Sequence, residues 1–437
     1  MELLMTSQTR VTFHLPFPAF ALAMLGLLTM IATAPALAQT FTVLHTFTGG
    51  TDGSSPYFGV TVARPGLLYG TTYGGGTYSR GVAFALRNSG SGWTLNPLHE
   101  FGDGSDGQDP TALVTVGPNG AIYGTTESGG SANAGTVFEL QPPASACLTA
   151  LCYWNESILH SFQGGTNDGA VPTRGALIFD QAGNIYGMTS WGGGGPCNLG
   201  GEPGCGTVFE LTPSGSGWTE NVLHSFDGSD GDLPGYGLIF DTAGPAGNLY
   251  GTTNYGGSYG GSDGDGTAFE LSPSGGGTWT ETVLYNFNCF NGGCLPTGTL
   301  IHDASGNLYG SVYQGEAPSS AYELSYSNGG WDFSSISASG GGPCEDYGGV
   351  AMDTAGNIYG TCLIGGAYND GWVFKLTNSG GNWTTTDLHD FNGSDGSWVY
   401  SGVTLDSSGN LYGTTFYGGD FGCNDGLGCG TVWEITP

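Results

Sequence analysis

The chain is 437 residues long and carries 85 glycines and 21 prolines beside 38% hydrophobic and 12% aromatic residues, so it reads neither as a disordered tail nor as a collagen. Only 10% of residues are charged, and they are lopsided: 37 acidic against 6 basic, a formal charge of -31. That balance argues against nucleic acid and anionic membrane surfaces as partners, because both are bound by Lys and Arg clusters, and leaves cations, basic proteins and neutral sugars open.

Arg10 precedes an apolar run from Phe17 through Ile31, and Ala36-Leu37-Ala38 offers a small-residue cleavage site before Gln39. Residues 1–38 are therefore predicted to be a secretory signal peptide, with an uncleaved anchor as the rival reading. The expected product is a secreted or periplasmic monomer without a stable membrane anchor. The ten cysteines agree with export and fall into local couples: Cys147 with Cys152, Cys197 with Cys205, Cys289 with Cys294, Cys344 with Cys362, and Cys423 with Cys429. Zinc binding is the alternative, but the spacings lack a matching His.

The expected mature chain, residues 39–437, opens on Phe41-Thr42-Val43-Leu44-His45-Thr46-Phe47, a strand. A repeating unit follows. Its clearest copy is Leu249-Tyr250-Gly251-Thr252-Thr253, a glycine-rich loop, then Gly266-Thr267-Ala268-Phe269-Glu270-Leu271, two strands rich in residues that suit a pleated sheet. The Tyr-Gly anchor recurs at Tyr69, Tyr123, Tyr186, Tyr250, Tyr309, Tyr359 and Tyr412, roughly 50 to 64 residues apart, the period of blades or solenoids. Each unit divides into four runs; in the fourth, strand A covers 237–241, B 248–253, C 267–271 and D 279–287. Turns such as Asp180-Gln181-Ala182-Gly183-Asn184 join A to B. The fifth unit carries Tyr285 where others have His, and its D strand near 331–336 is degenerate.

The ends do not match. The opening strand resembles Val222-Leu223-His224-Ser225-Phe226, a D strand with no A, B or C before it, while the chain closes on A, B and C at 401–406, 410–415 and 431–435. The first strand is therefore expected to complete the last blade, giving an all-β, seven-bladed β-propeller of four-stranded blades.

The recurring Leu-His-Ser-Phe, Asp-Gly-x-x-Pro, Asn-Leu-Tyr-Gly-Thr-Thr and Gly-Thr-Val-Phe-Glu-Leu words resemble the GloVer tandem repeat of secreted bacterial proteins, over almost the whole mature chain. The resemblance implies an exported, propeller-like protein whose relatives often carry a C-terminal surface anchor. This chain ends at Thr436-Pro437 without an apolar tail, and the resemblance brings no catalytic motif.

Chemistry is expected on the face formed by the D-to-A and B-to-C loops. Asp227, Asp230, Asp232, Asp263 and Asp265 are the densest carboxylates; together with carbonyls of glycine turns they could hold Ca²⁺, or they form turns only. Tyr57, Tyr236, Tyr347, Trp398 and Tyr400 stand beside the inner strands with the cation Arg174, as a ligand-stacking ring at the channel mouth or as packing between blades. Glu345 or Asp346 is expected to form a channel-mouth couple with Arg174. His45, His99, His160, His224 and His389 share one D-strand position, spread around the circumference, and read as structural; Glu139, Glu210, Glu270, Glu323 and Glu434 share one C-strand position. No nucleophile triad, phosphate loop or nucleotide fingerprint is found, and no cofactor beyond Ca²⁺ is suggested. The expected function is a non-catalytic binding or scaffold module for an extracellular glycan or protein; the alternative is a polysaccharide hydrolase or lyase with acids at the channel mouth.

Overall fold

The computed structural model describes residues 39–102, 104–144, 152–198, 202–215, 217–241, 247–260, 264–290, 293–314, 321–336, 344 and 348–437. The expected signal peptide lies outside them, as do Cys147, Asp263, Glu345, Asp346 and Tyr347. Among the described residues no helix is long and apolar enough to cross a membrane.

Thr40–Thr436 form seven antiparallel sheets, one per repeat. In the first blade Val60–Arg64, Leu67–Thr72, Val82–Asn88 and Trp93–Glu100 run outward as strands A to D. The seventh blade adds Thr40–Thr46 to Thr404–Leu405, Leu411–Thr415 and Thr431–Thr436, with Phe41 opposite Ile435 and Val43 opposite Trp433. The chain is thus a seven-bladed propeller closed by its first strand.

The repeated words have physical reasons. Gly251 lies opposite Phe269, and a Cβ there would meet the Phe269 ring at 2.6 Å, so only glycine lets the ring cover strand B. The tyrosine beside it faces the strand C glutamate: the hydroxyls of Tyr123, Tyr186 and Tyr412 donate to Glu139, Glu210 and Glu434 at 2.6, 2.8 and 2.8 Å. In the sixth blade Lys375 replaces the glutamate, and its Nζ sits 5.4 Å from the Tyr359 ring.

Blades are stitched to one another by two further words. Ser55, Asp109, Val171, Leu233 and Leu295, each just before a proline, take left-handed φ values of 53 to 57°. That turn aims the N–H at the preceding blade, as in Ser55 to the Cys429 carbonyl (2.7 Å) and Leu233 to the Cys205 carbonyl (3.2 Å). The proline then packs on the glycine that opens strand C of that blade, Pro296 on Gly266 and Pro56 on Gly430. Two of these contacts, Ser55 to Cys429 and Pro56 to Gly430, cross the closure. Apolar clusters fill the gaps between blades; Leu44, Phe47, Val60, Phe84 and Val432 join the seventh to the first.

Two features differ from the expectation. Inner strands are shorter: the expected 237–241 run is only Ile239–Phe240, with a separate piece at Asp232–Pro234. Near the axis Gly175 and Gly237 come so close that a Cβ on Gly175 would lie 2.0 Å from the Gly237 nitrogen, which leaves no room for a wider strand. In six blades strand D slips by one residue beside the strand C aromatic, whereas the fifth, with Gly330–Ile336, pairs without a slip. Four expected disulfides are formed, Cys197–Cys205, Cys289–Cys294, Cys344–Cys362 and Cys423–Cys429, with Cα separations of 5.0, 4.7, 5.0 and 5.7 Å.

Candidate functional site

The D-to-A and B-to-C loops meet on one face, where short bridges pair Ser54 with Gly74, Gln108 with Ser128, and Ser397 with Tyr417. Aromatic side chains from the seventh and first blades converge there. Tyr57 stacks on Tyr400 (4.7 Å) and Phe58 (5.0 Å) and meets Phe416 edge-on (5.2 Å). Trp398, 43% exposed, caps the group at 5.3 Å from Tyr417 and 6.2 Å from Tyr400. The Arg174 guanidinium carbon lies 5.0 Å from the Tyr57 ring centroid, and its Nε is 3.5 Å from Glu127. Burial, then Tyr57 and Tyr417, pushes the Tyr400 hydroxyl up to about 12.

Arg174 stands between two cavities. One, of about 170 Å³, lies on the axis between Phe58, Tyr236 and the inner glycines Gly175, Gly348 and Gly402. The other, of about 380 Å³, opens between the second, third and fourth blades and is lined by Glu127, Arg174, Ser190, Trp191, Tyr236, Asn254 and Tyr255 among others. Three rings beside a guanidinium, a carboxylate, an amide and a hydroxyl are a stacking surface with polar partners at its edge.

Residues 30–194 and 153–334 match the Gloeobacter/Verrucomicrobia repeat in two overlapping segments. The chain belongs to that family. Its propeller is similar to solved structures at low identity: an ulvan lyase of polysaccharide lyase family PL25 bound to a disaccharide repeat (12% identity, 84% of this chain and 90% of that one, TM-score 0.48). PorZ, a surface component of the type IX secretion system of Porphyromonas gingivalis, is similar at 15% identity (87% of this chain, 46% of that one, TM-score 0.47). A protein of unknown function from Dyadobacter fermentans is similar at 12% identity (90% and 96%, TM-score 0.42). A search of curated proteins found no match.

Within this family member the residues singled out from sequence separate into three places. Tyr57, Arg174 and Tyr400 share the mouth, with Trp398 at its rim, while Tyr236 lines both cavities. Glu345, Asp346 and Tyr347 lie outside the described residues. The aspartates weighed for Ca²⁺ are engaged locally. Asp227 accepts from the Ser229 hydroxyl (2.6 Å), Asp230 accepts from His224 (2.9 Å), and Asp265 accepts from the Cys289 N–H (3.0 Å). Asp232 is buried beside the Cys197–Cys205 disulfide. Phe58, Glu127, Ser190, Trp191, Asn254, Tyr255 and Phe416 were missed as site residues. A signal for several of them exists: Glu127, Ser190, Asn254 and Phe416 each occupy the position four residues after the anchor tyrosine, where the repeat changes from blade to blade.

The histidines are spread around the rim, yet each meets a loop aspartate. The Nε2 to carboxylate distances are 3.2 Å for His45–Asp52, 3.5 Å for His99–Asp106, 3.4 Å for His160–Asp168, 2.9 Å for His224–Asp230 and 3.0 Å for His389–Asp395. At three of them a glutamate from the next blade's D strand joins: Glu156, Glu220 and Glu281. Burial, then the charge of Asp106, pushes the Glu156 carboxyl up to about 8; burial, then Asp168, pushes Glu220 up to about 7, and burial, then Asp230, does the same for Glu281. Sequence reading missed these groups because a neighbour across a blade boundary is some 60 residues away along the chain.

Proposed function

We propose that the chain is an exported, non-catalytic binding module whose ligand is a neutral glycan, seated in the cavity between the second, third and fourth blades. The observation that carries this reading is the lining itself, with Trp191, Tyr236 and Tyr255 rings beside Arg174, Glu127, Ser190 and Asn254. Apolar ring faces stack on the C–H face of a sugar, and the polar groups at the edge match its hydroxyls. A formal charge of -31 repels polyanions and so favours uncharged polymers. Glu127, which lines the larger cavity, is the one carboxylate among the described lining residues of the two, and Arg174 holds it as an ion pair rather than opposite a second acid, which favours binding over hydrolysis. The disulfides agree with an oxidising compartment.

The test is a glycan array together with a reducing-end assay on the polymers retained. Retention without new reducing ends or unsaturated products is expected, and Trp191→Ala should weaken it about tenfold, a loss of about 1.4 kcal/mol. New ends from a retained polymer would replace this reading with the hydrolase or lyase, and retention of proteins but no glycan would replace it with a protein scaffold.

A further inference from the structure

We infer that His99, Asp106 and Glu156 form a divalent transition-metal site at the junction of the first and second blades, with zinc the ion its donors suit best. The three ligands come from three elements: His99 from the D strand Trp93–Glu100, Asp106 from the loop after it, and Glu156 from the neighbouring D strand Asn155–Ser161. His99 Nε2 lies 3.5 Å from Asp106 Oδ2 and 3.6 Å from Glu156 Oε1, and all three ligand atoms fall within 4.8 Å of one another. Tetrahedral bonds of about 2.0 to 2.2 Å place neighbouring ligand atoms about 3.4 Å apart, close to both nitrogen-to-oxygen distances, and the third separation stays within 4.8 Å. Both His99 Nε2 and Glu156 Oε1 are buried atoms without a hydrogen-bond partner. An ion between them satisfies both. Asp106 is a quarter exposed, which leaves water access for a fourth ligand. One imidazole with two carboxylates suits zinc and its neighbours, whereas calcium takes six to eight oxygens.

The same repeat position elsewhere shows that the fold does not require a buried glutamate there. Four residues before the D-strand histidine, the seventh blade has Phe41, which lies flat on His389 at 3.5 Å, and the fifth has Phe333, stacked on Tyr285 at 5.3 Å. An aromatic ring closes those junctions without burying a charge. His160, Asp168 and Glu220 repeat the metal-like set more loosely, with 4.0 Å between His160 and Glu220, while His224 keeps a 2.9 Å hydrogen bond to Asp230.

The purified chain, stripped with EDTA and desalted, is titrated with zinc while bound metal per chain and melting temperature are followed; Co²⁺ replaces zinc in a parallel sample. Zinc retention, a raised melting temperature and the visible bands of tetrahedral Co²⁺ are expected. Glu156→Gln should bind one zinc fewer per chain and lose those bands, while melting in EDTA like the parent, because the amide keeps the packing. His99→Gln should do the same; if it fails to fold, Glu156→Gln decides. No zinc retention, or a Glu156→Gln variant that keeps the full complement, overturns the assignment.

Discussion

Gly251 shows how one atom sets the sheet. Its missing Cβ is the space in which the Phe269 ring lies, so Gly251→Ala is expected to destabilise the chain by about 1–3 kcal/mol, read as a drop in denaturation midpoint. Adding Phe269→Leu should recover part of that loss; simple additivity would show that ring and glycine do not share one space. The turn aspartates act through charge. Burial raises the Asp353 carboxyl, but hydrogen bonds from Asn357, Tyr359 and Ala355 outweigh it and hold the group below its ordinary 3.8. A folded value below the unfolded one gives stability that is present above about pH 4 and lost as pH falls through the folded value. Asp353→Asn should therefore melt below the parent at pH 7, and the gap should close as pH falls through the folded value; a gap independent of pH would remove the charge from the explanation. At this scale the repeat words were legible in the sequence, because each answers a local demand. Tyr57, Arg174 and Tyr400 were legible as residues, but their meeting was not: Tyr57 and Tyr400 sit near opposite ends of the chain and stack at 4.7 Å only because the ring closes.

Blades differ in how well they are tied. Cys344–Cys362 spans 18 residues and fixes the entry to the sixth blade against the end of its strand B, Ile358–Cys362. Replacing both cysteines with serine is expected to cost about 3 kcal/mol in the chain-entropy picture, measured by urea denaturation; an unchanged midpoint would mean that packing alone holds the segment. The fifth blade lacks the D-strand slip, and Tyr285, expected in it, stands instead in strand D of the fourth blade, Thr278–Asn286, packed across the junction on Phe333. Element order and type were legible throughout, because strands B, C and D carry dense β-formers. The inner strands were not, since glycine-to-glycine contact at the axis, as between Gly175 and Gly237, limits them in ways that composition does not reveal.

At the scale of the molecule, seven units become one ring only when Thr40–Thr46 pairs with Thr431–Thr436. That pairing buries Leu44 and Phe47, worth about 1.5–3 kcal/mol each, and without it the seventh blade presents a bare strand edge. The closure was the most legible feature of the whole chain, because a D strand without A, B and C before it has no other blade to complete. The cavity was not legible: its lining comes from the second, third and fourth blades, and nothing in a linear repeat says which loops will face one another. The most direct measurement is calorimetry of the parent beside a chain lacking residues 40–47. The parent should melt in one cooperative transition, and the deletion should melt far lower or aggregate as the exposed edge pairs between molecules. Equal melting temperatures would contradict closure by the first strand.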